Sequence, residues 1–400
     1  MKPSSKAIAA MTADEREQES QRYLLDKNLS QRIFEQDIRP KFLDRLKPQI
    51  NPKVEFLGGQ PAAGKAKLLE QKQRELAQHG GSLAINGDEF RRFHPRSDEI
   101  KQRHGKDAAF YTDKDTARWV EQMIQETQKR KVNVILEGTM RRPEVTVKTA
   151  EAYRESGFEV NASIMATHPA QSWLRVHQRY EHGLTKNPDD ARFTQKHSHD
   201  VAVTGVRETV KAIEAHPAFR SLTLYKSDQG QVSTVYQNQR DGQTGEWIKA
   251  PQGYQTLTEL HQAKLSRSQQ VQLDQGWQKI TDQMRERGAP RSDIQQVIKD
   301  QYPKTEPARA GRTYNGVVVN QDADRTIQRT ATGKLIIHKT EKLDGLEQGD
   351  AGKNKSISYA KGNDRATVTD NSKSAKASQA AERSQESTKV TKDNSNSFER

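Results

Sequence analysis

Val54-Glu55-Phe56-Leu57-Gly58-Gly59-Gln60-Pro61-Ala62-Ala63-Gly64-Lys65-Ala66-Lys67-Leu68-Leu69 reads as a short apolar strand, a glycine-bounded loop and the start of a helix. The spacing Gly59-x4-Gly64-Lys65 fits a phosphate-binding loop, in which backbone N–H groups and a helix N-terminus cradle phosphates while the lysine neutralises them. Ala66 stands where such a loop carries Ser or Thr, whose hydroxyl holds magnesium.

Outward from this loop, strand-length apolar runs recur at Ser82 to Asn86, Val132 to Leu136, Val160 to Ala166 and Leu222 to Tyr225. Helix-period segments separate them: Lys65 to His79, Asp113 to Lys131, Pro143 to Ser156, Pro169 to His182 and His199 to Ala215. Strands alternating with helices imply an α/β fold, a parallel sheet with helices on both faces. Ligands in such folds sit beyond the carboxyl ends of the strands, where Asp88 and Glu137 fall. Ahead of the loop, Thr12 to Leu46 carries apolar residues at helical spacing, so residues 1–50 read as an N-terminal helical segment and 51–228 as the domain built on the phosphate loop. Residues 229–340 read as an extension: a small hairpin over Gln231 to Trp247, helical segments from Thr256 to Ile298, and a β element over Gly316 to His338. From residue 341 to 400 the chain is Lys, Ser, Asp, Asn and Ala with few large apolar groups, which predicts a disordered tail.

An apolar fraction of 32% over 400 residues agrees with a chain folded only in part. The formal charge of +13 would suit a polyanion, but basic and acidic residues alternate, so a nucleic-acid partner ranks last and a solvated basic surface first. Cysteine is absent, which excludes disulfides, thiolate metal sites and a cysteine nucleophile. The first residues lack the apolar core of a secretory signal and no run approaches a membrane span, so the expectation is a cytoplasmic protein without a membrane partner.

Three clusters could carry chemistry. Asp88, just past the second strand in Asn86-Gly87-Asp88-Glu89-Phe90, could take the proton of a hydroxyl attacking a γ-phosphate; it could equally be a helix N-cap. Glu137, ending the third strand in Glu137-Gly138-Thr139, occupies the place from which a carboxylate orients magnesium directly or through water. Arg179, in Arg179-Tyr180-Glu181, and Arg192, after a proline turn, could converge on a transferring phosphoryl group, although solvated surface pairs are the commoner fate of arginines. His197-Ser198-His199-Asp200 invites a metal reading, but zinc needs three or four converging ligands, and Ser198 as a helix cap explains the cluster more simply.

Taken together, Leu57 to Lys65, Asn86 to Phe90 with His94-Pro95, Glu137-Gly138-Thr139, Arg179-Tyr180-Glu181, and Ala191-Arg192 with His199-Asp200 resemble the zeta toxin family in order and approximate spacing, over roughly Asp26 to Tyr225. That resemblance implies an ATP-dependent, magnesium-using kinase that phosphorylates the sugar hydroxyl of UDP-N-acetylglucosamine and so starves cell-wall synthesis. It implies that Gly59, Gln60, Pro61, Ala62, Ala63, Gly64, Lys65 and Ala66 bind ATP, with Arg179 and Arg192 on its phosphates and on the transition state. Asp88 would then be the general base, with Glu121, Glu137, Thr139 and Thr149 lining the sugar-nucleotide pocket. It also implies a small helical antitoxin docking near the N-terminal helices, whose apolar stripe packing on their own domain explains as well. Two departures stand out: Ala62 and Ala63 where the family usually has Gly or Ser, costly at Ala62 only if φ must be positive, and Ala66. The missing hydroxyl motivates an alternative from another class, a nucleotide-binding regulator or scaffold with weak or lost kinase activity.

Overall fold

The computed structural model describes residues 11–186, 188, 191–228 and 231–371. The chain divides into two compact units at Lys264/Leu265.

In the first unit, β1 (Lys53–Gly58), β2 (Leu83–Asn86), β3 (Val134–Glu137), β4 (Glu159–Met165), β5 (Ser221–Asp228) and β6 (Gln231–Gln239) form one sheet in the order β2-β3-β1-β4-β5-β6. The first five are parallel, with Val54 level with Val134 on one side and Val160 on the other; β6 runs antiparallel to β5. Parallel strands covered on both faces need apolar residues at successive positions, and Phe56 and Leu57 accordingly feed two separate apolar clusters. Phe56 packs with Tyr153 and Phe219, while Leu57 joins Leu68, Ile135 and Met165. The crossover helices are α4 (Lys65–Ala77), α7 (Ala108–Arg130), α8 (Pro143–Glu155), α9 (Pro169–Lys186) and α10 (Lys196–Ala215), with the short α5 (Gly87–Phe90) and α6 (Ser97–His104) between β2 and α7. The α/β architecture with a parallel sheet is the one its strand and helix pattern predicts.

The N-terminal segment forms α1 (Ala13–Ser20), α2 (Lys27–Ile33) and α3 (Arg39–Leu43), joined by a π-helical turn over Phe34–Ile38. Its apolar stripe is buried in its own unit: Ile33, Phe34, Ile38 and Leu43 enter the main core, and Tyr23 packs edge-on against Tyr111 of α7. Trp119 Nε1 donates to Ser30 O at 3.0 Å and fastens α2 to α7. Packing therefore accounts for the stripe.

Three expectations about the extension need correction. The unit does not end at residue 228: β6 is an edge strand of the main sheet, and α11 (Gly253–Gln262) buries Leu257 in the main core. The cause is Glu214 on α10, whose carboxylate accepts from the N–H groups of Gly253 and Tyr254 at 2.6 and 3.0 Å and caps α11 from outside its own sequence neighbourhood. The hairpin over Gln231 to Trp247 reduces to a bridged turn, Arg240 opposite Trp247, because β6 pairs with β5 instead. The tail is not disordered from residue 341, since β11 (Leu343–Asp344), β12 (Asn354–Tyr359) and β13 (Ala366–Asp370) are strands; residues 372–400 lie outside the described residues.

Those strands belong to the second unit, a seven-stranded sheet in the order β11-β13-β12-β8-β9-β10-β7 with α12 (Arg267–Glu286) and α13 (Arg291–Gln301). The other strands are β7 (Thr305–Pro307), β8 (Thr313–Gln321), β9 (Arg325–Thr330) and β10 (Leu335–Lys339). Low apolar content concealed β12 and β13 because strands of a half-buried sheet need an apolar group only at alternate positions: Ile357, Tyr359, Ala366 and Val368 supply the buried set.

Candidate active site

The phosphate loop leaves β1 at Gly58 and turns into α4 at Lys65 through three left-handed or open backbone conformations, Gly59 (φ 144), Ala62 (φ 57) and Gly64 (φ 96). The second and third lie in the left-handed region, and Ala62 pays the steric cost that glycine avoids. Gly64 precedes α4 with no side-chain cap, so the first N–H groups of a 13-residue helix stay available for an anion. Lys65 Nζ folds back over the loop, donating to Gly59 O at 2.9 Å and Gln60 O at 3.3 Å. Burial pushes the Lys65 pKa down; Glu137 and Asp88 pull it up, and Arg179 adds to the downward push. Pro61 is half-buried, Ala63 is buried, and Ala66 is exposed.

The loop rests on α9 and α10. Gln60, fully buried, donates from Nε2 to Thr167 O at 2.6 Å and Ser172 Oγ at 3.2 Å. Ser172 Oγ in turn lies 2.9 Å from His199 Nε2, and Thr167 Oγ1 donates to Ala63 O at 2.7 Å. His199 is thus a brace, its pKa lowered by burial against the pull of Asp200. Among the described residues no group of three or more His, Cys, Asp or Glu is placed to hold a metal ion. Ser198 is not a helix cap, because α10 already begins at Lys196.

Asp88 sits in the first turn of α5, and the cap is Asn86, whose Oδ1 accepts from Asp88 N at 2.9 Å. Asn86 Nδ2 donates to Glu137 Oε2 at 2.8 Å, tying the ends of β2 and β3 together. The Asp88 carboxylate accepts from Arg91 Nε at 2.9 Å and faces Arg192 Nη1 at 3.1 Å. Burial pushes its pKa up, but Arg91, Arg192 and Arg179 outweigh that and hold it below the usual aspartate value. Arg179 Nη2 donates to Thr194 Oγ1 at 3.1 Å; burial lowers its pKa, Asp88 raises it and Arg192 lowers it. The structure therefore brings Lys65, Asp88, Glu137, Arg179 and Arg192 into one interacting charge cluster beyond the strand ends.

Thr139 lies two residues beyond β3, in a loop seated on α10: Thr209 Oγ1 donates to Met140 O at 2.6 Å, and a Cβ on Gly205 would come within 2.6 Å of Arg141 Cα. Glu121 is exposed on α7, and Thr149 Oγ1 turns back to Val145 O of its own helix at 2.8 Å. A cavity of about 420 Å³ opens beside Asp88, lined by Arg91, Arg92, Lys101, Thr112, Arg192 and Phe193 among others. None of Glu121, Glu137, Thr139 or Thr149 lines it. Sequence reasoning missed Asn86, Arg91, Ser172 and Thr209, whose roles depend on partners up to 112 residues away; local signals existed only for Asn86, an N-cap two residues before Asp88, and for Arg91, three residues after it.

Residues 40–241 match the family model described as Zeta toxin, and residues 313–370 match that of the KfrB domain. Toxin PezT of Streptococcus pneumoniae serotype 4 is 33% identical over 195 residues, covering 49% of this chain and 75% of PezT. Toxin zeta of Enterococcus hirae is 29% identical over 178 residues, covering 44% of this chain and 62% of its own length. A solved structure from the PezAT chromosomal toxin-antitoxin system of Streptococcus pneumoniae superposes with a TM-score of 0.54 at 26% identity, covering 66% of this chain and 99% of that one. The first family match starts ahead of β1 and ends beyond β6, so it takes in every strand that shapes the site, and the chain belongs to the zeta toxin family.

Proposed function

We propose that the first unit is an ATP-dependent kinase that phosphorylates a sugar hydroxyl of UDP-N-acetylglucosamine or a related nucleotide sugar in the cytoplasm, and acts there as a toxin. The observation that carries this reading is the Asp88 carboxylate, held ionised by Arg91 and Arg192 in the same charge cluster as Lys65 of the phosphate loop. Asp88 takes the proton of the acceptor hydroxyl as its oxygen bonds to the γ-phosphorus, and the bond to the β-phosphate breaks to release ADP. Lys65 and the N-terminus of α4 bind the phosphates; Arg179 and Arg192 neutralise charge on the transferring group. Glu137 ends β3 with Thr139 two residues on, and Glu121, Glu137, Thr139 and Thr149 contribute as acceptor contacts by family resemblance.

The donor set fits magnesium held mainly by nucleotide phosphates and water. Ala66 offers no hydroxyl, and among the described residues Glu137 accepts a hydrogen bond only from Asn86, at Oε2, so its carboxylate could bind the ion directly or through water. When bound, the ion neutralises charge on the phosphates. A small helical antitoxin is the proposed partner; because the apolar residues of α2, the π-helical turn and α3 are internal, it would grip the polar outer faces of these helices.

Purified full-length chain with ATP, magnesium and UDP-N-acetylglucosamine should yield a phosphorylated sugar nucleotide by mass spectrometry, and Asp88→Asn should abolish it while sparing ATP binding. Absence of product at every protein concentration would end the specific activity. Ala66 favours a second reading, a nucleotide-binding regulator with lost catalysis, which robust turnover by the natural protein removes.

A further inference from the structure

The two guanidinium groups on Asp88 differ in how firmly they are themselves held. Arg192 reaches Oδ2 from the segment between α9 and α10, with 53% of its side chain exposed. Arg91, only 19% exposed, binds Oδ1 through Nε and commits the rest of its fork to α7. Its Nη1 donates to Ala109 O at 2.7 Å and Thr112 Oγ1 at 2.8 Å, and its Nη2 to Asp113 Oδ1 at 2.6 Å. A planar fork bound on three sides cannot swing without losing several charge-assisted bonds, whereas a half-exposed pair is surrendered easily.

We propose that Arg91 is a positioning residue for phosphoryl transfer: clamped to α7, it fixes Oδ1 of Asp88 and so presents Oδ2 as the atom that takes the acceptor's proton. This rests on the kinase reading above. Arg192 occupies Oδ2 in the free chain and transfers to the phosphates when nucleotide arrives, which bares that oxygen. The proton then passes from the acceptor hydroxyl to Oδ2, the hydroxyl oxygen forms its bond to the γ-phosphorus, and the bridging oxygen leaves on ADP with the electron pair. Asp88, Arg91, Thr112 and Arg192 all line the 420 Å³ cavity, so the bared oxygen has open space beside it for the acceptor.

The test compares full-length wild type, Arg91→Ala, Arg91→Lys and Asp113→Asn for transfer from ATP to UDP-N-acetylglucosamine across pH, together with a carbon-13 NMR titration of the Asp88 carboxyl assigned through Asp88→Asn. Arg91→Ala should lower kcat about 100-fold, the scale of a misplaced catalytic group, and leave KM for ATP unchanged. It should move both the acid limb of kcat and the NMR midpoint to higher pH, since a carboxylate deprived of a cationic partner holds its proton more tightly. Arg91→Lys should restore the pH behaviour more than the rate, because it returns charge without the fork. Asp113→Asn, which loosens the clamp without touching Asp88, should shift both in the same direction by less. An unmoved acid limb and NMR midpoint in Arg91→Ala, with only the acceptor KM raised, would overturn the proposal and make Arg91 an ordinary binding residue. If Arg91→Ala does not fold, an Asp113→Asn protein with wild-type kcat and pH profile overturns it. Should the wild type transfer no phosphate, the kinase reading fails, and the NMR midpoints alone decide whether Arg91 grips Asp88.

Discussion

Replacing Ala62 by glycine should stabilise the first unit, against the usual effect of adding a glycine. Ala62 holds φ 57, one of three non-glycine residues with positive φ among those described. An L-residue there bears a steric cost of roughly 1–2 kcal/mol. Glycine removes that cost but returns about 0.4–1 kcal/mol of unfolded-state entropy, leaving a net gain of ~0.5–1 kcal/mol. In a unit of about 250 residues, where 1 kcal/mol moves the midpoint by roughly 2–4 °C, Tm should rise by about 1–4 °C. Differential scanning calorimetry of the full chain measures this, with the first unit's transition identified as the one that ATP shifts. Ala62→Val supplies the opposite sign, because a β-branched residue is worse in this backbone region. A Tm that falls or stays level in Ala62→Gly would refute the reasoning and mean that the loop relaxes the strain through its neighbours.

Ala66→Ser should shift the magnesium requirement of turnover to lower concentration by ~10-fold, the equivalent of one added charge-assisted contact; a magnesium titration with an unchanged midpoint would show that the hydroxyl is not missed. Gly205→Ala forces a Cβ to within 2.6 Å of Arg141 Cα, so it should cost ~1–3 kcal/mol of overpacking and raise the acceptor KM by displacing the loop that carries Thr139, read by chemical denaturation and by kinetics. Burial pushes His261 down to about 4 from an ordinary 6.5. The unfolded chain therefore binds the extra proton first, and up to ~3 kcal/mol of stability, fully present above pH 6.5, is lost as pH falls toward 4. His261→Leu should flatten that limb of the first unit's Tm against pH, and an unaltered slope would assign the acid sensitivity to other groups.

The parallel sheet was legible because its signals are local: each strand is a short apolar run, the first three ended by Gly58, Asn86 and Glu137, and each helix has its own period. Asp88 and Glu137 were legible as candidates because they fall at strand ends, and Lys65 because it follows the loop's last glycine; the arginines carried no such local mark. What stayed hidden depends on distant partners. Arg91 looks like any arginine in a charged segment until α7 supplies Ala109, Thr112 and Asp113. The extent of the first unit was misjudged because the residue that docks α11, Glu214, lies 39 positions before Gly253. The strands after residue 343 escaped because averaging over a window erases a period of two. Ala62 was recognised as a departure, but its cost depended on a backbone angle that composition does not encode.

Helix α10 sets a distance. His199 near its start braces the phosphate loop through Ser172 and Gln60, and Thr209 further along carries the loop beyond β3. Ten residues of one helix separate them by about 15 Å along its axis. The spacing between the phosphate loop and the loop beyond β3 is thus ruled off on a rigid rod, not negotiated by two flexible loops. Point substitutions along that rod can tilt it or weaken it, but inserting a single residue between His199 and Thr209 would rotate one attachment by about 100° against the other. An inserted residue should therefore be far more damaging in this helix than in either of the loops it holds.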